Sequence, residues 1–209
     1  MTYYPVAGRY SDVIKRSIIL LLLALATIAQ ADSEGPLSPT AATDQGDWTD
    51  ETNVFSSNNL RARDPGTNSH ILRTYTFGSA IPAGATINGF LVSVEGYGVE
   101  PNPERREIEV ALGVSGYTPT GSWKAGTLPL DPAEAYIDFG SSSDLWGGTW
   151  AVGDANNVEF SVLVRQSADG TIGVNFVDHI RVTVTYTPAA GGAANYRRRI
   201  ELQRLLNGG

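Results

Sequence analysis

The chain has 209 residues, no cysteine and a formal net charge of −7, with 15 Lys and Arg side chains against 22 Asp and Glu. This length accommodates one all-β domain with terminal segments, and a chain without cysteine has no disulfides, thiolate nucleophile or cysteine-ligated zinc. The acidic balance argues against nucleic acid as a partner, because contact with phosphates requires a basic surface.

The charge is divided unevenly along the chain. Residues 1–31 carry a net charge of +2 and residues 187–209 carry +3, whereas residues 32–186 hold 8 basic and 20 acidic side chains, a net charge of −12. Basic ends on an acidic body indicate that the ends contact something that the body does not, such as the acidic body of a neighbouring copy. The alternative is that the arginines only keep the ends soluble.

The N-terminal segment contains an uncharged apolar run of 15 residues, 17–31, directly after Lys15 and Arg16. As a helix this run would be about 22 Å long, short of the roughly 30 Å hydrocarbon core of a membrane. A basic segment, an apolar stretch and a small-residue end are typical of a secretory signal peptide, which predicts an extracellular, cell-surface or virion location. If residues 1–31 are retained, their apolar side chains are expected to anchor the chain against partner subunits or lipid. The anchor residues would be Ile18, Leu21 and Leu25.

Residues 32–47 contain turn formers and carboxylates without a hydrophobic period, so we expect a linker there. From residue 48 to residue 187, apolar and polar residues alternate in runs separated by Gly, Pro, Asn and Asp. The runs lie at residues 69–77, 86–94, 107–114, 135–139, 157–165 and 179–186. Strands with one polar face belong to antiparallel sheets, which predicts an all-β fold, an antiparallel β-sandwich or jelly roll of about seven to nine strands.

The C-terminal segment begins with small residues at 188–194, typical of a flexible linker, and Asn195 is suited to cap a following helix. We expect residues 195–209 to form a short basic amphipathic helix that docks on a partner, because a helix of this length is marginal alone in water. The alternative is a frayed tail. The predicted contact residues are Tyr196, Arg197, Arg198, Arg199, Ile200 and Leu206.

The sequence has no pattern that predicts catalysis. His70 and His179 lie in or beside strand runs, and the residues around Ser115 lack the motif that presents a nucleophilic serine on a sharp turn. Asp178 and His179 are neighbours on one predicted strand and therefore point to opposite faces. We expect a non-enzymatic protein with no catalytic residue and no organic cofactor.

Oxygen-rich segments are consistent with one structural Ca²⁺, because hard cations take carboxylate and carbonyl ligands from loops. Their spacing does not match that of an EF-hand. The candidate ligands are Asp44, Asp47, Asp50 and Asp154.

A carbohydrate site is suggested by two tryptophans that lie in a loop close to carboxylate and amide groups, since sugar rings bind exposed aromatic planes beside such groups. The candidate residues are Trp146, Trp150, Asp154 and Asn156, and Trp123 and Tyr136 are further candidates. The alternative is that both tryptophans fill the core, because each large aromatic side chain buries roughly 150–250 Å².

Three segments carry a resemblance to known modules: residues 81–90 (IPAGATINGF), 145–150 (LWGGTW) and 177–186 (VDHIRVTVTY). Over residues 48–187 the chain resembles β-sandwich modules of phage virion and tail-associated proteins and of secreted bacterial surface proteins. The resemblance implies a structural or interaction role. With the charge division, it predicts an acidic sandwich displayed on a filament, virion or cell surface, whose ends contact copies of itself or other structural subunits. A secreted carbohydrate-binding module is the alternative.

Overall fold

The computed structural model describes residues 30–64, 66, 70–167 and 173–189. These residues form ten strands: β1 (Asp32–Leu37), β2 (Ala41–Asp44), β3 (Ala62–Asp64), β4 (Leu72–Tyr75), β5 (Thr86–Gly98), β6 (Glu107–Gly113), β7 (Lys124–Thr127), β8 (Ala135–Gly140), β9 (Ser161–Gln166) and β10 (Asn175–Thr187). Short 3₁₀ turns lie at Glu51–Val54 and Pro103–Arg106, and a four-residue helix, α1, lies at Val152–Ala155.

The strands form two five-stranded antiparallel sheets. In sheet A, β5 lies between β8 and β10, and both β1 and β3 pair with the other side of β10. Sheet B has the order β2-β4-β9-β6-β7. The expectation of an antiparallel β-sandwich is confirmed, with more strands than the seven to nine predicted.

The predicted linker at residues 32–47 is wrong, because β1 and β2 occupy this segment. Each is an edge strand with a single partner, β10 for β1 and β4 for β2. Most residues of β1 are exposed. An edge strand is held by backbone hydrogen bonds and buries few side chains, so its sequence shows no apolar alternation.

The core lies between the sheets and contains the inward residues that the alternation predicts. On β5 these are Phe90, Val92 and Val94, which are fully buried. Register places Val184 of β10 opposite Phe90, and Phe160 packs on the Phe90 ring at a centroid distance of 5.5 Å. Burying each such side chain stabilises the fold by about 1.5–3 kcal/mol.

The outward face of sheet B is covered by the chain between β6 and β7. Ile71, Ala111 and Leu163 form a second small apolar cluster on this face, and Tyr117 and Trp123 pack against it. The Tyr117 hydroxyl donates a hydrogen bond to the Asp44 carbonyl oxygen at 2.7 Å. This face is therefore closed by its own loop, and the outward face of sheet A is the better candidate for a binding surface.

The two ends of the sandwich differ in what they carry. At the proximal end Asp32 pairs with Tyr186, and Thr86 pairs with Thr187. At the distal end Asn175 pairs with both Gly98 and Asp64. Because β1 and β10 are antiparallel, the chain enters and leaves the sandwich at the proximal end.

The predicted terminal contact residues lie outside the described residues. They are Ile18, Leu21 and Leu25 at the N-terminus, and Tyr196, Arg197, Arg198, Arg199, Ile200 and Leu206 at the C-terminus. Within the described ranges, the helices are too short and too polar to cross a membrane.

Candidate functional site on the outward face of sheet A

The two tryptophans predicted to bind sugar lie in the core. Trp146 is fully buried, and its indole N–H donates a hydrogen bond to the Phe90 carbonyl oxygen at 2.9 Å. Trp150 is 8% exposed, donates to the Leu145 carbonyl oxygen at 2.9 Å and packs on Phe90 at a centroid distance of 4.9 Å. Neither ring offers a free plane to a sugar, so the predicted site at these residues is wrong and the core-packing alternative holds.

The polar residues of the same predicted site hydrogen-bond to nearby backbone groups. A carboxylate oxygen of Asp154 accepts a hydrogen bond from the Ala151 N–H at 2.8 Å, at the start of α1. Asn156 accepts from the Ile81 N–H at 2.9 Å and donates to the Ile81 carbonyl oxygen at 2.8 Å. Their side chains are used locally and do not form a binding surface with the tryptophans.

The candidate calcium ligands make separate local contacts. Asp44 accepts hydrogen bonds from the N–H groups of Gly46 and Trp48 at 3.0 and 3.1 Å. Asp47 lies 3.4 Å from the His70 ring, and Asp154 caps α1. Across the described residues, no three acidic or histidine side chains converge closely enough to hold a metal ion, so the four carboxylates, including Asp50, are not brought into one group.

A different set of polar side chains shares the outward face of sheet A. Strand register aligns them in two rows that cross β10, β5 and β8. The first row is His179, Glu95 and Tyr136, and the second row is Arg181, Ser93 and Asp138. Residues paired across neighbouring strands point to the same face, so the register alone places these six side chains together. We call them the polar face.

His179 is held through both ring nitrogens. The Ser38 hydroxyl lies 2.8 Å from Nε2, and the Tyr136 hydroxyl lies 2.7 Å from Nδ1. Burial lowers the pKa of His179, an effect that Arg181 reinforces and that the charges of Glu95 and Asp178 oppose. The ring is therefore held toward its neutral form, in which one nitrogen donates a hydrogen bond and the other accepts one.

Tyr136 is the aromatic centre of the polar face. The Arg181 guanidinium stacks on its ring at 3.9 Å from the centroid. Burial and the neighbouring Glu95 carboxylate raise the pKa of Tyr136, so its hydroxyl stays protonated at neutral pH. In the second row, Ser93 donates a hydrogen bond to Asp138 at 2.6 Å, which holds that carboxylate against the sheet.

Towards the distal end, the face continues in an aromatic pair. The rings of Tyr97 and Phe176 stack at a centroid distance of 5.0 Å and an interplanar angle of 21°. Arg61 lies over Tyr97 at 5.1 Å and donates two hydrogen bonds to Glu134, at 2.9 and 2.5 Å. The whole face thus combines partly exposed aromatic rings with guanidinium, carboxylate and hydroxyl groups.

The Ser38–His179 pair has the spacing of a nucleophile and its base, but other features argue against acyl transfer. Tyr136, instead of a carboxylate, contacts the second ring nitrogen. The Asp178 carboxylate accepts hydrogen bonds from the backbone N–H groups of Asn58 and Asn59, away from the histidine. The residue after Ser38 is Pro39, which lacks the N–H that commonly helps to stabilise an oxyanion. The arrangement fixes the Tyr136 hydroxyl against a histidine that is itself only 8% exposed.

The sequence points to Tyr136 but not to the face around it, because that face depends on strand register. Alternation predicts that His179 and Arg181 point outward, but it does not say which residues of other strands lie beside them. Ser38 is 141 residues away from His179 in the chain. The available signal was the number of polar outward residues on strands that also carry tyrosine and arginine.

Fold and face together define the class of protein: a two-sheet antiparallel β-sandwich with one polar and aromatic outward face. No family model matches the chain, and no curated protein matches it either. Among solved structures, the chain is similar to a peanut lectin with a nine-residue peptide, at 12% identity and a TM-score of 0.34, over 77% of this chain and 100% of the lectin. It is also similar to the CBM22-1 xylan-binding domain of Paenibacillus barcinonensis Xyn10C, at 12% identity and a TM-score of 0.28, over 79% and 99% of the two chains. Likeness at this level assigns no function.

Proposed function

We propose that this protein is a non-enzymatic structural or interaction protein whose acidic β-sandwich is held at its proximal end and displayed on a filament, virion or cell surface. The observation that carries the proposal is the pairing of Asp32 with Tyr186. Residues 1–31 and 188–209 join the sandwich at that one end. If both segments attach to an assembly, the distal end and the partly exposed aromatic rings on the outward face of sheet A remain free to meet a partner.

Charge supports the same arrangement. The ends carry +2 and +3, whereas residues 32–186 carry −12. Contacts between a basic end and the acidic body of a neighbour are attractive, and they weaken with salt because the screening length is about 10 Å at 0.1 M. We therefore expect self-association to decrease as the salt concentration rises.

Deletion of residues 188–209 tests the proposal. The shortened chain should keep the fold, because Tyr186 and its pairing with Asp32 remain, but sedimentation should show smaller oligomers. Two full-length variants distinguish the effect of charge from that of side-chain size. Replacing the three arginines 197–199 together with Gln should weaken association, whereas replacing the same three with Lys should not. A shortened chain that assembles like the full chain contradicts the proposal.

Extracellular location is part of the proposal and has its own test. Mass spectrometry of the native protein should find an N-terminus at Asp32 if residues 1–31 are a signal peptide, and at Met1 or Thr2 if they are a retained anchor. The first result supports secretion with attachment through the C-terminal segment. The second supports attachment through both segments.

A second candidate function is carbohydrate binding on the outward face of sheet A. The observation that favours it is the combination of Tyr136, Tyr97 and Phe176 rings with Arg181 and Glu95 on one side of one sheet. Aromatic planes pack on the apolar faces of sugar rings, while guanidinium and carboxylate groups hydrogen-bond their hydroxyls. Arg61 on this face is paired with Glu134, and Glu95 and Asp138 add further negative charge, which favours an uncharged glycan over an acidic one.

A glycan array with the full chain tests this function. Tyr136→Ala should reduce binding about tenfold or more, since it removes a ring, a hydroxyl and the support of Arg181. Tyr75→Ala is the matched control, because Tyr75 carries a similar arginine stack, with Arg73 at 4.2 Å, on the other sheet. Wild-type protein that binds no glycan above background removes the candidate, and equal losses in both variants assign the effect to folding.

A further inference from the structure

The interior of the distal end contains polar side chains whose hydrogen-bonding capacity is unmet. Gln166, the last residue of β9, and Asn175, the first residue of β10, are both fully buried. Among the described side-chain atoms that are shielded from solvent and have no hydrogen-bond partner, four belong to Gln166, Asn175 and Arg106. They are Oδ1 and Nδ2 of Asn175, Oε1 of Gln166 and Nε of Arg106. We call these three residues the distal polar cluster.

The members of the cluster are brought together by the strand ends. Asn175 pairs with Gly98, and a Cβ atom at Gly98 would lie 2.7 Å from Asn175 Oδ1 and would overlap the Arg106 side chain. Glycine at this position therefore leaves the space that Asn175 and Arg106 share. Gln166 reaches the same region, because its Nε2 donates to the carbonyl oxygens of Gly173 at 3.0 Å and Arg105 at 3.3 Å.

The unmet groups are balanced between donors and acceptors. The two bonds from Gln166 Nε2 fix the orientation of that amide, so the free atom is the acceptor Oε1. Asn175 offers one donor and one acceptor whichever way its amide is turned. Arg106 adds a donor at Nε, while one of its terminal nitrogens donates to the Leu128 carbonyl oxygen. The three residues thus contribute two donors and two acceptors that have no hydrogen-bond partner.

We propose that the distal polar cluster encloses ordered water. A metal ion would satisfy the oxygens and repel the Arg106 and Asn175 donors, and an anion would do the reverse. Water donates and accepts, and a buried water typically makes about three hydrogen bonds to such groups. The water bridges the end of sheet B, through Gln166, to the end of sheet A, through Asn175. Leaving these groups dry would be costly, because each unpaired buried polar group loses its hydration without compensation.

Magnetic relaxation dispersion of ¹⁷O or ²H in water, measured on the full chain, tests the proposal by counting water molecules that stay bound longer than the protein tumbles. We expect at least one such water in the wild type and fewer in Asn175→Leu and Gln166→Met, which keep approximate side-chain size and remove the amide. Thr74→Val is the control, because the buried Thr74 hydroxyl donates to the Val162 carbonyl oxygen, a protein group. The control should keep the wild-type number.

Wild-type protein without a long-lived water overturns the proposal, and so does an unchanged number in a folded Asn175→Leu or Gln166→Met variant. If neither variant folds, a high-resolution crystal structure of the wild type decides instead. Density for water within about 3.2 Å of Asn175 and Gln166 supports the proposal. A metal ion, another ligand or direct protein contacts at those atoms contradict it. These measurements do not test the proposed attachment through the chain ends, because none of them depends on residues 1–31 or 188–209.

Discussion

Replacement of Trp146 by alanine tests directly whether this tryptophan belongs to the core or to a binding surface. The indole is fully buried, its N–H donates to the Phe90 carbonyl oxygen, and Lys124 Nζ lies 5.2 Å from its ring centroid. Removing a large buried aromatic ring costs about 3–5 kcal/mol through lost burial and the cavity left behind. The Phe90 carbonyl oxygen also loses the indole N–H that donates to it, which adds about 1 kcal/mol to the loss of stability. Since a domain of this kind is stable by about 5–15 kcal/mol, Trp146→Ala should be marginally folded.

Urea denaturation followed by circular dichroism measures the effect. With a slope of about 2 kcal/mol per molar urea, a total loss of about 4–6 kcal/mol lowers the midpoint by about 2–3 M. Trp146→Phe keeps most of the ring and loses the N–H, so it should fall between the wild type and Trp146→Ala. Val158→Ala, at a side chain that is 64% exposed, is the control and should change stability by less than about 0.5 kcal/mol. If Trp146→Ala shifts the midpoint no more than Val158→Ala does, the indole is not part of the core.

Three further predictions concern the backbone, the polar face and its distal extension. Gly121→Ala should lower the melting temperature by several degrees, because Gly121 has φ +99° and a Cβ there would overlap the Trp146 carbonyl oxygen; unchanged thermal unfolding refutes this. Since the pKa of His179 in the folded state lies below its usual 6.5, the unfolded state binds more protons, so stability should fall as pH drops below about 6.5. His179→Gln should flatten this part of the curve of unfolding free energy against pH, and an equally steep curve in the variant counts against it. Arg61→Ala should cost about 1–3 kcal/mol in urea denaturation, because it leaves Glu134, whose side chain is 13% exposed, without its partner; a loss below about 0.3 kcal/mol shows that the pair contributes little.

Local periodicity accounts for the parts of the fold that the sequence predicts well. On β5 and β10 a side chain's face depends only on its place in the strand, so Phe90, Val92 and Val184 could be assigned to the core without knowledge of the topology. The edge strands β1 and β2 could not be assigned in this way, because backbone pairing with β10 and β4 holds them and they bury few apolar side chains.

The location of Trp146 could not be predicted for a different reason. Trp146 has φ 58°, a left-handed backbone conformation that a tryptophan seldom adopts. The turn made by this conformation directs the ring inward between the sheets. A loop tryptophan beside glycines is compatible with either direction until the packing around it is known. The polar face was hidden by the same kind of long-range dependence, since it requires the register of β10, β5 and β8.

The ion pairs within the sandwich use most of its cations and leave it with a surplus of negative charge. Five of the eight basic side chains in residues 32–186 are already paired with a carboxylate of the same sandwich. The pairs are Arg61–Glu134, Arg73–Glu159, Arg105–Glu100, Lys124–Asp144 and Arg165–Glu109. Each pair neutralises one carboxylate and uses up one cation, so the remaining acidic surplus cannot be balanced within the body. The arginines of residues 187–209 are the largest local source of positive charge in the chain, and both chain ends join the body at the proximal end, beside the Asp32–Tyr186 pair. A neighbouring copy that presents its acidic body to these arginines would be attracted to them, because most of its own cations are already paired. Salt screens this attraction between chains, so added salt should reduce self-association more than it reduces the free energy of unfolding.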